Sequence, residues 1–458
     1  MSRIIDAGRA PGVKIAKLPY IKKCGTKSKM RQGSAPVPGG DGAKKGDGNT
    51  PNPMMRAVCA LGIAEIIAWG TTFYALGVLG RPIAAETGWS QSLVFGGMTV
   101  ALLTSSVFST WIGRLIDRYG ARPVMALGLL LCALGLSLVA VARHEWVYLA
   151  SWVVLGPAMR MSLYDAAFAA LVQVAPTRGR RAISYLTLFG GLASTVFWPI
   201  GHWLDGAIGW RETLLVFAGL NLFVAAPLTW WGLAAREPEA ADAPPAGSIP
   251  PATNSDHDQP PLAGSARLVA VVLFGSVLAS NSFVFGALSA HLVSVLQASG
   301  LALGAAVALA SLKGVAQVGG RVWELFFAQA ISPVGLGRFA IALLPLSFAV
   351  LMFLGSSYET ALAFTLLLGV SNGLVTIVRG AVPLALFGRD GYGTMIGILA
   401  TPQLFMNAVS PFAFAAIVDT FGSRAGLWVL MGASLFSIIA MEATARWVAH
   451  VRGTTPGT

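Results

Sequence analysis

The stretch Gly113-Arg114-Leu-Ile-Asp117-Arg118-Tyr-Gly120-Ala-Arg122 decides how this chain folds. It is a short charged segment between two apolar runs. Residues 93–112 pass 20 positions without a charged side chain, and residues 124–142 pass 19. As an α-helix rising about 1.5 Å per residue, each run is long enough to cross about 30 Å of hydrocarbon. The segment between them must turn the chain within about ten residues at a membrane surface. Gly113 and Gly120 allow the bend and a close approach of backbones. Asp117 is placed to cap a helix start, and Arg114, Arg118 and Arg122 hold the turn on the cytoplasmic side.

Composition agrees with this reading. The chain has 458 residues, 55% hydrophobic and only 11% charged, with a mean hydropathy of +0.68. Soluble domains carry about 25% charged residues. The alternating segments of about ten residues that build a membrane barrel are absent. An all-α membrane protein is expected. The net charge of +12 suggests nucleic acid at first sight. The basic residues, however, lie along one side of the membrane rather than in a folded patch, so topology and lipid headgroups account for them. Cys24, Cys59 and Cys132 are far apart and form no metal-ligand spacing, so no metal or other cofactor is expected.

Twelve apolar runs follow in order. Six lie at about 57–80, 93–112, 124–142, 146–175, 182–204 and 213–235, and six at about 268–297, 301–330, 339–357, 360–388, 393–418 and 425–446. Residues 1–53 are polar, basic and rich in Gly and Pro, and are expected to be a disordered cytoplasmic tail. Met54 and Met55 stand just before the first run, so an upstream mis-start of the reading frame is also expected to be testable at the native N-terminus. Residues 54–235 form one six-helix unit and 268–446 the other. Residues 236–267, with seven prolines, form a cytoplasmic linker, and 447–458 a short cytoplasmic tail. With both termini inside, only Arg81, Arg143, Arg211 and Arg424 of the 32 Lys and Arg residues fall outside. Three others, Arg160, Lys313 and Arg379, lie within spans. This bias sets both termini in the cytoplasm and the protein in the plasma (inner) membrane.

A Gly-x-x-x-Asp-Arg-x-Gly-x-Arg segment between the second and third of twelve spans resembles the signature loop of the major facilitator superfamily, with matches at Gly113, Asp117, Arg118, Gly120 and Arg122. The resemblance implies two pseudo-symmetric six-helix bundles, a central cavity lined by spans one, four, seven and ten, and a cytoplasmic gate at this loop. Asp117 is then expected to pair with neighbouring helix ends near Arg178, Arg180 and Arg181. The two halves also echo one another. Asp205, Gly209 and Arg211 recur as Asp419, Gly422 and Arg424, and Gly88 recurs as Gly300, at offsets of 212 to 214. The partner of the signature loop near Gly320-Arg321 has no aspartate and reads as decayed.

An ionisable side chain in a span costs at least about 2.5–3.5 kcal/mol on insertion scales, so each needs a reason. Glu65, Trp69 and Thr72 recur at i, i+4 and i+7 on one face of the first span. Asn372, Thr376 and Arg379 do so in the tenth, and Lys313 and Gln317 share a face of the eighth. Asp165 and Arg379 are 214 positions apart, so the repeat sets them at matching places in the two halves as facing partners. Arg160 and Asp165, five apart on one helix, lie about 140° round from each other and should not meet one solute together. A carboxylate, Glu65 or Asp165, gaining and losing a proton beside these cations would bias the two cavity orientations.

These residues point to a monomeric secondary active transporter for a small polar or anionic solute, with protons as coupling ion and the lipid bilayer as its surroundings. Efflux of a drug, toxic metabolite or metalloid is the alternative, and a non-transporting receptor on the same fold a more remote one. No Asp, His or Ser cluster suits an enzyme, and no phosphate-binding loop suits ATP-driven transport.

Overall fold

The structure is a computed structural model that describes residues 52–237, 260–355 and 357–454. The N-terminal tail and most of the linker expected from the sequence lie outside these residues. The first six spans are α1 (Pro53–Thr87), α2 (Gln91–Tyr119), α3 (Ala121–Val141), α4 (Glu145–Ser162 with Tyr164–Val174), α5 (Gly179–Ile208) and α6 (Trp210–Gly232). The second six are α7 (Gly264–Ala298), α8 (Leu303–Phe327), α9 (Pro333–Phe353), α10 (Tyr358–Phe387), α11 (Tyr392–Phe421) and α12 (Ser423–Thr454). Eleven of these are long and apolar enough to cross a membrane. The fourth is broken by a single extended residue, Leu163 (φ −89°, ψ −173°), into two shorter pieces.

In lipid the apolar surfaces gain little by meeting each other, so close approach over small residues joins the helices. Gly369 and Gly373 of α10 lie directly against the backbone of α8 at Lys313 and Gln317. Between the bundles, α2 runs beside α11 and α5 beside α8. A Cβ added at Gly393 would lie 2.7 Å from Asp117 Oδ1 and 2.8 Å from the Gly113 carbonyl oxygen, which leaves room for glycine alone. The internal repeat is visible in the backbone. Gly209 and Gly422 both hold φ at +84°, with ψ of 167° and 163°, and each accepts a helix end and starts the next helix.

The signature segment differs from the expected ten-residue turn. Gly113 is carried inside the helix without breaking it, so α2 continues to Tyr119 and α3 begins at Ala121. The turn is one residue, Gly120, at φ +84°.

Three further irregularities matter for the site. A π-helical turn, Trp69–Phe73, interrupts α1, and a second, Asn221–Ala225, interrupts α6. They are tied together by Asn221 Nδ2 donating to Thr71 Oγ1 at 2.8 Å, with both residues fully buried. In α5, the helix lapses at Gly191-Leu192 before resuming at Ala193.

Candidate substrate and proton pathway

Buried ionisable groups converge where the two bundles meet. Asp165, at the start of the second piece of α4, forms ion pairs with two guanidinium groups. Arg160 Nη1 lies 3.2 Å from Oδ2, and Arg379 Nη2 of α10 lies 3.1 Å from Oδ1. Arg160 Nε also donates to Ser109 Oγ of α2 at 2.7 Å. The sequence expectation that Arg160 and Asp165 point apart is therefore corrected. It assumed one continuous helix, and the extended Leu163 rotates the second piece so that the two side chains close on each other. Side-chain exposure rises from 3% at Arg160 to 17% at Arg379, which makes Arg379 the most accessible of the three.

Glu65 is fully buried with Trp69, Asp165 and Arg379 within electrostatic range, and neither carboxylate oxygen makes a hydrogen bond of full geometry. It sits one helical turn before Trp69, where the π-turn begins. The Trp69 ring packs against Phe73 (5.2 Å), Tyr74 (6.1 Å) and Tyr164 (5.2 Å), giving an aromatic wall beside the carboxyl. Thr72 is fully buried within the π-turn, and its hydroxyl proton is taken up by the Ala68 carbonyl at 2.5 Å. On α10, Asn372, Thr376 and Arg379 are half-buried while the residues between them are buried, so this stripe is the less buried face of the helix there. Lys313 and Gln317 lie apart from the Arg160–Asp165–Arg379 group, on α8 at the level of Gly369 and Gly373.

Sequence reading missed Arg321, which counted only as a topological charge. It is 2% exposed and crosses between bundles, donating to the Thr187 carbonyl at 2.7 Å beside the lapse in α5, and to Thr376 Oγ1 at 3.4 Å. The missed signal was spacing: Gly320-x-x-x-Glu324 matches Gly113-x-x-x-Asp117 with glutamate in place of aspartate. The second signature segment is decayed in part: it keeps the glycine, an arginine and an acid, while Leu325, Phe327 and Gln329 stand where Arg118, Gly120 and Arg122 do.

Both acidic residues act at helix ends of the opposite bundle. Asp117 accepts from the backbone N–H of Gly393 (2.9 Å) and Thr394 (2.7 Å) and from the Thr394 hydroxyl (2.6 Å), at the positive N-terminus of α11. The expected pairing of Asp117 with Arg178, Arg180 or Arg181 is replaced by this cap. Arg178 pairs with Glu237 instead, and Arg181 lies over the Tyr185 ring. Arg180 donates to Ala328 and Ile331 carbonyls at the C-terminal end of α8 (3.1 and 2.6 Å) and to Glu324 (3.4 Å). Of the other signature residues, Arg122 lies 4.0 Å over the Trp230 ring and donates to its carbonyl, and Arg118 stacks on Tyr119. The hydrogen bonds and ion pairs that join the bundles run from Ser106–Thr401 to this Gly120 end, which is therefore clasped shut. An apolar cleft of about 390 Å³ lies elsewhere, between α7, α11 and α12, lined by Phe283, Met406 and Phe436, and no ionisable group borders it.

Comparison with known proteins agrees with this architecture. The family model for the Major Facilitator Superfamily matches residues 61–343, and the chain belongs to that family. Multidrug resistance protein MdtH of Klebsiella pneumoniae (strain 342) is 29% identical over 142 residues, 31% of this chain and 34% of that protein. The chain thus matches about a third of the length of that relative. Monocarboxylate transporter 3 of Rattus norvegicus is 25% identical over 371 residues, covering 77% of this chain and 70% of that one. Among solved structures, the human organic anion transporter MFSD10 (TETRAN) superposes with a TM-score of 0.64 at 18% identity, over 85% of this chain and 99% of its own. The proton:xylose symporter XylE gives 0.63 at 11% identity, over 85% and 95%. Both likenesses show the fold.

Proposed function

We propose that this protein is a proton-coupled secondary transporter of small organic anions working by alternating access, with the Gly120 end and both termini on the cytoplasmic side. The observation that carries this reading is the Arg160–Asp165–Arg379 group. One carboxylate serves two guanidinium groups, so the group holds a net positive charge where the bundles meet. An incoming carboxylate completes the charge balance, most directly at the more exposed Arg379, and a bidentate guanidinium–carboxylate contact suits that role. Glu65 supplies the proton site. The carboxyl is fully buried in the first span with Asp165 and Arg379 within electrostatic range, which links its charge to anion occupancy.

The cycle follows from these parts. Anion on Arg379 loosens its hold on Asp165, an ion pair that spans the bundles, while proton transfer at Glu65 changes the charge of the cavity. Each step shifts the balance between the clasped and open states of the Gly120 end. The organic anion transporter and the monocarboxylate transporter among the similar proteins support an anionic solute, and the proton:xylose symporter supports proton coupling.

Efflux of an apolar drug is a second reading, favoured by the apolar cleft between α7, α11 and α12 and by the likeness to MdtH. Proteoliposomes with an imposed pH gradient test the two. A panel of labelled monocarboxylates should accumulate against their gradient on the alkaline side. Accumulation of lipophilic cations with no movement of carboxylates would favour efflux.

A further inference from the structure

Lys313 lies near the middle of α8 (Leu303–Phe327) and has no part in the charge group just described. Its direction follows from the helix. Ala306, Leu309, Ala316, Gly320 and Glu324 are all buried, and at 100° per residue they share one stripe with Lys313 near its centre. The opposite face holds Val315, Val322 and Phe326, exposed at 66%, 38% and 72%. That exposed apolar face is the lipid side, so the Lys313 stem leaves the helix toward the protein interior and does not snorkel to lipid. Lys313 is nevertheless half-buried, and no hydrogen bond or ion pair to it occurs among the described residues.

Its height is equally defined. Gly369 of α10 packs on the Lys313 backbone and Gly373 on that of Gln317. Gly369 precedes Arg379 by ten residues, about 15 Å along α10, on the side away from the clasped Gly120 end. From that side inward, the polar groups on α8 and α10 run Lys313, Gln317, Asn372, Thr376 and Arg379, the last four half-buried like Lys313.

We infer that Lys313 forms a second, outer anion-binding station about 15 Å before Arg379, which collects a carboxylate from the unclasped side and passes it down this polar stripe. The inference rests on the reading of the cavity as an anion path. A half-buried ammonium without a counter-ion, set between low-dielectric helix walls, raises the local anion concentration. Arg379 by contrast is already engaged with Asp165, so the two cations divide capture from the step that shifts the bundles.

Thiol labelling tests this without knowledge of the solute. In the full chain with Cys24→Ser, Cys59→Ser and Cys132→Ser, a single Gln317→Cys or Asn372→Cys is treated with anionic methanethiosulfonate ethylsulfonate or the cationic trimethylammonium analogue. Rates are scaled to those with a free thiol. With Lys313 present, the anionic reagent should react faster at both positions. Lys313→Met should lower the anionic-to-cationic ratio at least about fivefold, as expected for one unit charge a few ångströms away in water, and Lys313→Arg should restore it. A ratio unmoved by Lys313→Met at both positions, or two cysteines that neither reagent reaches, would overturn the station. A preserved ratio effect in a protein that moves no organic anion would leave the station standing and remove the transport reading instead. In transport, Lys313→Met should raise KM for a labelled monocarboxylate about tenfold with kcat unchanged.

Discussion

Asp165 on α4 and Arg379 on α10 meet at 3.1 Å across the two bundles, although 214 positions separate them. The pair is off-centre in charge, because Asp165 also holds Arg160 at 3.2 Å. Removing one or the other member therefore has unequal consequences. Arg379→Gln leaves a balanced Arg160–Asp165 pair, so the protein should fold normally and lose uptake at least 100-fold. Asp165→Asn leaves two guanidinium groups facing each other without a counter-ion, a buried imbalance of about 3–5 kcal/mol. Thermal melting in detergent should fall clearly for Asp165→Asn and little for Arg379→Gln, and equal losses would contradict the assignment.

Glu65→Gln replaces a fully buried carboxyl with a neutral group of the same shape. If the neutral acid is the resident form, melting should change by no more than a few degrees. Exchange of labelled anion across vesicles at equal pH should continue, while accumulation driven by a pH gradient should vanish. Loss of both activities together would remove Glu65 from the proton path.

Closing the Gly120 end depends on α2 and α11 approaching over glycine. Gly393→Val would thrust a side chain at Asp117 Oδ1 and the Gly113 carbonyl, so the clasp cannot form. Asp117→Ala keeps the space and removes the cap on α11, a change of about 1–2 kcal/mol. Cysteines at Tyr119 and Asp390, both exposed at this end, report on it. Their cross-linking should be nearly abolished by Gly393→Val and reduced about five- to thirty-fold by Asp117→Ala. Turnover should fall in both variants at unchanged expression.

The two π-turns in α1 and α6 are joined by one side-chain hydrogen bond, Asn221 to Thr71. Such bonds between membrane helices contribute about 0.6 kcal/mol on average. Thr71→Val and Asn221→Leu should each lower stability modestly, and the double variant should cost less than their sum. Strict additivity would mean the turns are not coupled.

The sequence was most informative where length and charge alone decide the outcome. Charge-free runs of 19 and 20 residues around Gly113–Arg122 can satisfy their backbone in lipid only as helices, and the order of those runs defines the two bundles. The stripe Asn372, Thr376 and Arg379 was likewise readable, because α10 keeps one phase from end to end. Legibility failed where helices lose phase. The single extended residue Leu163 brought Arg160 onto Asp165, and the π-turn Trp69–Phe73 interrupts the α-helical spacing that set Thr72 on a face with Glu65. No glycine or proline stands at Leu163 to announce the break there, and the lone Gly70 inside the π-turn does not by itself specify one. The bond from Arg321 to the Thr187 carbonyl depends on packing between bundles, which spacing along one helix does not encode.

The central claim is that the two bundles rock about the Asp165–Arg379 contact, opening one end as the other closes. Spin labels at Tyr119 and Asp390 measure the clasped end, and labels at Trp203 and Phe421, both at least 70% exposed, measure the other. Distance distributions recorded with and without a transported monocarboxylate should move in opposite senses, the first pair lengthening as the second shortens. Two distances that stay fixed, or lengthen together, would contradict the account.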